Sequence, residues 1–530
     1  AILAAGTILA QVSLHFTTEV PARGGTYYEG VVGVPRFINP LLALSDSDRD
    51  MTALVHAGLM RTTPEGEPIP DIAESYSISD DHLTYTFTIR SGAEFHDGTP
   101  ITASDVAFTI GLAQSPGLKS PKRPNWEGVV VTEVDERTVS FTLKSPYAPF
   151  LQNTTMGILP KHLWQNVSQD EFPFSTLNLE AIGAGPYQIE DVRVSQAGIP
   201  EEVRLEAFVG AHAVPYIEEM VFTFYGDQEA LATAVIENPS LAAHSISPEA
   251  AGDHRVEEAV LGRVFGVFFN QNQNELFADK IVRGALDDAL DKKALLATLV
   301  SGYGSPLSGP LPPRQVLDTG DEPDVDHLAS AKERLAAAGW SAGEDGVLAR
   351  VVNKATKRLT FTLVTGNAPE LKHAAEVVAE AWRGLGAEVT TQFFEASDLQ
   401  QSIIRPRKYD ALLFGEVIGR DVDLFAFWHS SQRNDPGLNI AMYANSTADK
   451  MLEEVRTIED PEERRVAAEE VAGIIAEEHA AVFLYAPHFV YLVPTSLRGI
   501  TLPTMTTPAD RFIGVTDWYL TKERVWPLFK

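Results

Sequence analysis

The residues able to do covalent chemistry are few, and none falls into a catalytic spacing. The chain has no cysteine, which excludes disulfides, thiolate metal sites and cysteine nucleophiles. There is no His-Glu-x-x-His run and no Gly-x-Ser-x-Gly elbow, and the thirteen histidines lack metal-ligand spacing. Asp46, Asp48 and Asp50 alternate like the start of a calcium loop. Met51 stands where such a loop needs glycine and Ala57 where it needs glutamate, so a solvated turn is expected. Asp318, Asp321, Glu322, Asp324 and Asp326 read as a solvated acidic loop. Gly183-Ala184-Gly185-Pro186 lacks the third glycine and following helix of a phosphate loop. No catalytic residue, metal ligand or cofactor is assigned.

Composition points the same way. Of 530 residues 44% are hydrophobic and 22% charged, a globular balance for about three domains or subdomains. A net charge of −31 repels nucleic acid and anionic lipid and attracts cations. Residues 1–10 are apolar, and no charge appears before Glu19. This reads as the end of a signal sequence or an uncleaved signal anchor, followed by a linker at 21–25.

The elements that must position any site alternate along the chain. Leu83, Tyr85, Phe87 and Ile89 alternate with Thr84, Thr86, Thr88 and Arg90 as a half-buried strand. Asp97-Gly98 is a turn pair, and Thr102 with Asp105 predicts a capped helix start. Residues 50–59 read as helix, and 129–134 with 138–144 as a hairpin across Asp135-Glu136. Residues 264–270, 359–363, 389–394 and 409–414 read as strands, with 482–485 and 489–493 as two more. Between them lie helices at 280–299, at 327–338 closed by Gly339, and at the apolar face Ala374, Val377, Val378, Ala381, Trp382 and Leu385. A last helix opens at Asp460-Pro461 and is expected to bury Ala467, Val471, Ile474 and Ile475. Such alternation predicts an α/β fold on parallel sheets with helices on both faces.

The run Phe95-His96-Asp97-Gly98-Thr99-Pro100-Ile101-Thr102-Ala103-Ser104-Asp105-Val106-Ala107-Phe108 resembles the signature of one family, the oligopeptide/dipeptide/nickel-type (family 5) solute-binding proteins of ABC importers. Asn39-Pro40-Leu41, Gly58-Leu59-Met60-Arg61, Gly183-Ala184-Gly185-Pro186-Tyr187 and the run from Val282 to Leu295 are similar to further family elements and follow in the family's order. The resemblance implies a two-lobed type II periplasmic-binding-protein fold with an extra strand-rich subdomain in the first lobe. Lobe I would take 25–61, the subdomain 62–181, lobe I again 182–263, lobe II 264–495, and 496–530 would return to lobe I, after an anchor and linker at 1–24. Function would be capture of short peptides between two lobes for delivery to an ABC permease, with no enzymatic step. Another solute, such as a nickel chelate or sugar, or a sensor or chaperone role, stays open. An extracytoplasmic, membrane-tethered monomer is implied.

Residues 410–431 resemble the family's cleft loop, with two departures. The position of an aspartate that in the family often pairs with a peptide's α-ammonium is Gly419, and Glu416 replaces a tryptophan. Asp421 would supply the carboxylate if the loop is rearranged; alternatively the ligand lacks a free amino terminus and Arg420 meets a carboxylate. By resemblance the ligand site comprises Phe37 and Asn39 in the first lobe and Asn270, Glu416, Val417, Arg420, Asp421, Tyr443 and Tyr485 in the second. His96 is expected to be a hydrogen-bonding scaffold residue.

Overall fold

The computed structural model describes residues 17–316, 326–420 and 422–526. The chain divides into two compact units: residues up to 258, 490–503 and 507 onward form unit 1, and residues 259–489 with 504–506 form unit 2.

Unit 1 is built on a mixed sheet. Thr26–Val32 lies at its centre, parallel to Glu219–Tyr225 on one side and Leu241–His244 on the other. Pro200–Ala207 and Tyr187–Val194 continue it antiparallel. A parallel pair needs a crossover, here the helix Gln228–Glu237, capped by Asp227 and burying Leu231 and Val235. Gly30 lies beneath that helix, where a Cβ would overlap Leu231.

A second, four-stranded antiparallel sheet joins Ala73–Ile78, Thr84–Ile89, Thr138–Thr142 and Val130–Glu133. Tyr85, Phe87 and Ile89 enter its core with Phe141 and Trp126, against Val106 and Ile110 of the helix Ala103–Gln114. The segment expected to be strand-rich is therefore mixed. The capping box forms: the Thr102 amide and hydroxyl donate to Asp105 Oδ2 at 2.9 and 2.7 Å.

His96 has the scaffold role expected of it. Its Nε2 donates to the Gly185 carbonyl at 3.1 Å, and its Nδ1 accepts from the Gly183 amide at 3.3 Å. Those two glycines approach the end of the helix Asp46–Val55 so closely that a Cβ on either would overlap its last carbonyls. The glycines of this turn thus serve backbone packing. His56, also buried, donates from Nε2 to the Ile38 carbonyl at 3.2 Å.

The three alternating aspartates correct the reading of a solvated turn. They open the helix Asp46–Val55, which starts and ends earlier than the 50–59 expected, and two of the three are buried. Asp48 caps the helix and accepts the Arg36, Phe37, Leu44 and Ser45 amides. Asp50 is wholly buried and takes both prongs of Arg511, at 2.8 and 2.6 Å. Arg511 also donates to Glu29 at 2.9 Å, whose other oxygen accepts from Tyr27 at 2.7 Å and Tyr491 at 2.5 Å. The expected linker is likewise strand in part: Thr18–Ala22 pairs antiparallel with Thr521–Val525.

In unit 2, Glu388–Phe394, Thr360–Gly366 and Ala411–Val417 run parallel. Arg263–Phe269 and then residues 481–489 continue the sheet antiparallel. One face packs on Pro369–Leu385, through Ala374, Val378, Trp382 and Leu385. The other packs on Ser446–Val455 and Pro461–Glu477, through Leu452, Val471 and Ile475, around Trp428. Asp460 caps the latter helix as its sequence implied. Arg464 and Ala468 join its buried face, whereas Ile474 and Ala467 are only partly buried. The helix expected over 280–299 is two, Lys280–Asp288 and Lys292–Val300, because the Asp291 side chain accepts the Ala294 amide and restarts it. The two expected strands at 482–493 are one, Ala481–Val493. Of the acidic loop, only Asp326 is described; it caps the helix His327–Ala337.

Two stability predictions follow from these groups. Replacing Arg511 with methionine leaves two buried carboxylates facing each other and should cost about 3–5 kcal/mol in denaturant unfolding. Adding Glu29→Gln and Asp50→Asn should restore part of that loss. Burial pushes the His56 and His96 imidazoles down to about 4, so both are neutral in the folded chain near neutrality. On unfolding they regain ordinary values near 6.5 and bind protons first as pH falls. Their contribution is full above about pH 6.5 and is lost toward pH 4. Denaturant titrations at pH 7 and 4.5 should differ by roughly 2 kcal/mol per histidine, and His56→Asn should remove its share of that difference.

Candidate ligand site

In an open α/β sheet, ligands are met beyond the carboxyl ends of the parallel strands, where loops rather than neighbouring strands complete the backbone. In unit 2 that edge is formed by Gly366 and Asn367, Phe394 and Glu395, and Glu416 and Val417. The Asn367 amide donates to the Phe394 carbonyl at 2.9 Å, and its side chain donates to Glu395, so two of the loops are tied together. Pro369 at the first helical position follows Ala368, which offers the helix no side-chain cap.

On one face of this edge Phe265 and Tyr485 stack, 5.0 Å between centroids and 13° between planes. Both lie in register with one another, and Phe265 also with Gly415, where a Cβ would meet the Phe265 ring at 2.9 Å. Glycine at 415 thus allows the ring to lie over the strand. Burial and the Glu370 charge push the Tyr485 hydroxyl up to about 12. On the opposite face, burial holds the Glu416 carboxyl well above the usual range. Glu416 is 3% exposed, and neither of its oxygens has a hydrogen-bond partner among the described residues. Its neighbour Val417 is 47% exposed.

The loop beyond is held by its own backbone and by ion pairing. The Ile418 amide donates to the Gly262 carbonyl at 2.8 Å, and the Val422 amide to the Gly419 carbonyl at 3.1 Å. Arg420 donates from Nε to the Thr504 carbonyl at 3.3 Å. Asp423 accepts the Phe425 amide at 3.1 Å and pairs with Arg456 at 3.3 Å, whose guanidinium lies 4.5 Å over the Phe425 ring. Asp421 lies outside the described residues.

The structure thus brings Glu416, Val417 and Tyr485 to one sheet edge, with Arg420 in the loop that leaves it. Asn270 does not join them. It follows Phe269, which pairs with Ala411 at the start of the strand that ends in Val417. Its amide is spent on the Arg407 carbonyl at 2.7 Å and on the Asn272 and Gln273 amides. Tyr443 is a core residue, 2% exposed and edge-on to Trp428 at 5.9 Å. In unit 1, Asn39 is wholly buried and holds its own loop through Asn178 and the Leu41 amide. Phe37 is half-buried against the core of that unit, with Arg36 5.3 Å over its ring. The sequence reading missed Phe265 and the Asn367 turn. A strand followed by Gly366-Asn367-Ala368-Pro369 and a helix was the available signal, a parallel strand ending directly in a proline-led helix.

This arrangement offers aromatic area, a helix start and an unsatisfied acid, with no nucleophile–base pair among its described side chains. Comparison with known proteins accords with such a binding surface. The oligopeptide-binding protein AppA of Bacillus subtilis is 29% identical over 527 residues, spanning 95% of this chain and 93% of AppA. The structure of B. subtilis AppA in complex with a nonapeptide superposes with a TM-score of 0.68 at 27% identity, covering 95% of this chain and 100% of AppA. NikZ of Campylobacter jejuni, solved in complex with Ni(L-His), gives a TM-score of 0.68 at 25% identity over 93% of this chain and 99% of its own. The fold is accordingly the two-lobed, type II architecture of periplasmic binding proteins. Residues 67–437, well over half the chain, match the middle region of the bacterial extracellular solute-binding proteins, family 5, and the chain belongs to that family.

Proposed function

We propose that this protein captures short peptides outside the cytoplasm and passes them to an ABC importer. The likeness to AppA over nearly the whole chain carries the reading. The site adds support, because stacked Phe265 and Tyr485 present apolar area that tolerates varied side chains. Binding, not turnover, is the activity, and the ligand shifts an equilibrium between open and closed states. The same reading includes a monomer held at the membrane by the apolar residues 1–10.

Mass spectrometry of small molecules released on denaturing the purified protein should find peptides; a metal chelate or a sugar in their place defeats the reading. Membrane fractions washed in high salt should keep the full-length protein, and a freely soluble form defeats the tether alone. Among variants, Tyr485→Ala should weaken binding of the released peptide by about 1–3 kcal/mol through lost aromatic area. Asn270→Ala should lower stability by about 1–3 kcal/mol by orphaning buried backbone groups, with affinity unchanged in calorimetry.

A further inference from the structure

We propose that Trp526 is a second membrane contact of this protein, seated in the lipid headgroup layer beside the apolar amino-terminal segment. The inference rests on the tether reading above and goes beyond it by naming a residue of the folded part that meets lipid.

One tryptophan is out of keeping with the rest. The chain has seven. Trp126, Trp164, Trp340, Trp382, Trp428 and Trp518 are each no more than 4% exposed, whereas Trp526 is 49% exposed. An indole left in water forfeits the apolar area that the other six bury. A membrane interface removes that loss, because the ring meets acyl chains while its N–H stays among wet headgroups.

Strand register carries Trp526 to such an interface. Thr18–Ala22 and Thr521–Val525 pair antiparallel, and the outermost pair is Thr18 with Val525. One step further along the two strands stand Thr17 and Trp526. Arg524 fixes this end, donating from Nε to the Thr17 hydroxyl at 3.0 Å and from Nη2 to the Thr17 carbonyl at 3.1 Å. The other end is fastened to unit 1: the Thr521 hydroxyl donates to the Ala22 carbonyl at 2.7 Å, and the Gly24 amide to the Tyr216 carbonyl at 2.8 Å. No Asp, Glu, Lys or Arg stands before Glu19, so nothing charged separates the tether from the ribbon. A chain held by its first residues therefore brings Thr17 to the bilayer surface. Trp526 comes with it, one strand spacing of roughly 5 Å away.

Charge permits the contact without driving it. The protein as a whole, at −31, is repelled by anionic headgroups. The ribbon is locally neutral, because Lys522 and Arg524 offset Glu19 and Glu523, with Glu19 3.2 and 3.1 Å from the two cations. The aromatic ring supplies the attraction.

The test uses the full-length protein reconstituted into vesicles of phosphatidylcholine and phosphatidylglycerol. Part of the phosphatidylcholine is brominated either near the headgroup or near the end of the acyl chain, and bromine quenches an indole that it touches. Flotation establishes that the protein is on the vesicles. Shallow bromine should then remove part of the tryptophan emission, and more of it than deep bromine removes. Trp526→Phe should float as wild type does, melt at the wild-type temperature and lose the quenched part altogether, because the other six indoles are buried. Floating protein without quenching, stronger quenching by deep bromine, or Trp526→Phe quenched like wild type overturns the proposal and leaves the tether standing. Protein that does not float overturns both.

Discussion

Unit 1 depends on one buried arginine. Arg511 comes late in the chain, yet it binds Asp50 from the helix Asp46–Val55 and Glu29 from the central strand, all three without exposure. Two carboxylates against one guanidinium would be a poor bargain in a dry interior. The second Glu29 oxygen escapes it by accepting hydroxyls from Tyr27 and Tyr491. Burial raises the Asp50 carboxyl, but Arg511 and His244 outweigh that and hold it below its usual range. Tyr27 and Glu29 share a strand, but Asp50, Tyr491 and Arg511 come from other stretches of chain, so the network forms only once the carboxyl-terminal segment has returned to the first unit. Trp518 then closes over Tyr27, edge-on at 5.7 Å. Such a cluster adds little net stability over an apolar replacement, but breaking it is expensive. It acts as a check on topology.

Unit 2 solves its folding with apolar contact instead. Leu412 faces the core around Trp428 while Ala411 and Leu413 face the core around Trp382, so both sides of the strand are covered. A sheet covered on both faces has polar business only at its ends. The aromatic stack, the tied loops and Glu416 accordingly gather where the parallel strands stop.

Much of this was legible from local signals. Thr102 with Asp105 and Asp460 with Pro461 announced helix starts because a cap is decided within four residues. The apolar face of Pro369–Leu385 showed as a 3.6-residue period. What failed was decided at a distance or by competition. Asp50 looked solvated because its partner lies 461 residues away. The 280–299 period concealed a break because Asp291 offers a better cap than the continuing helix offers a bond. The gap between the strands read at 482–485 and 489–493 holds Pro487, yet its carbonyl accepts the Leu261 amide at 3.0 Å and the strand runs through. The site was half legible. Family likeness pointed to Glu416 and Tyr485, which lie at one sheet edge, and to Asn270, which strand direction sends to the far edge.

Glu29 and Glu416 make the decisive comparison. Both are glutamates on central strands, both nearly devoid of solvent. Glu29 meets a guanidinium and two phenol hydroxyls; Glu416 meets no hydrogen-bond donor among the described residues. The same chain therefore builds a complete shell for a buried acid where topology requires it, and leaves one incomplete at the strand ends where loops meet. An apolar side chain at 416 would match Val264 across the sheet and remove the cost of the unpaired carboxyl.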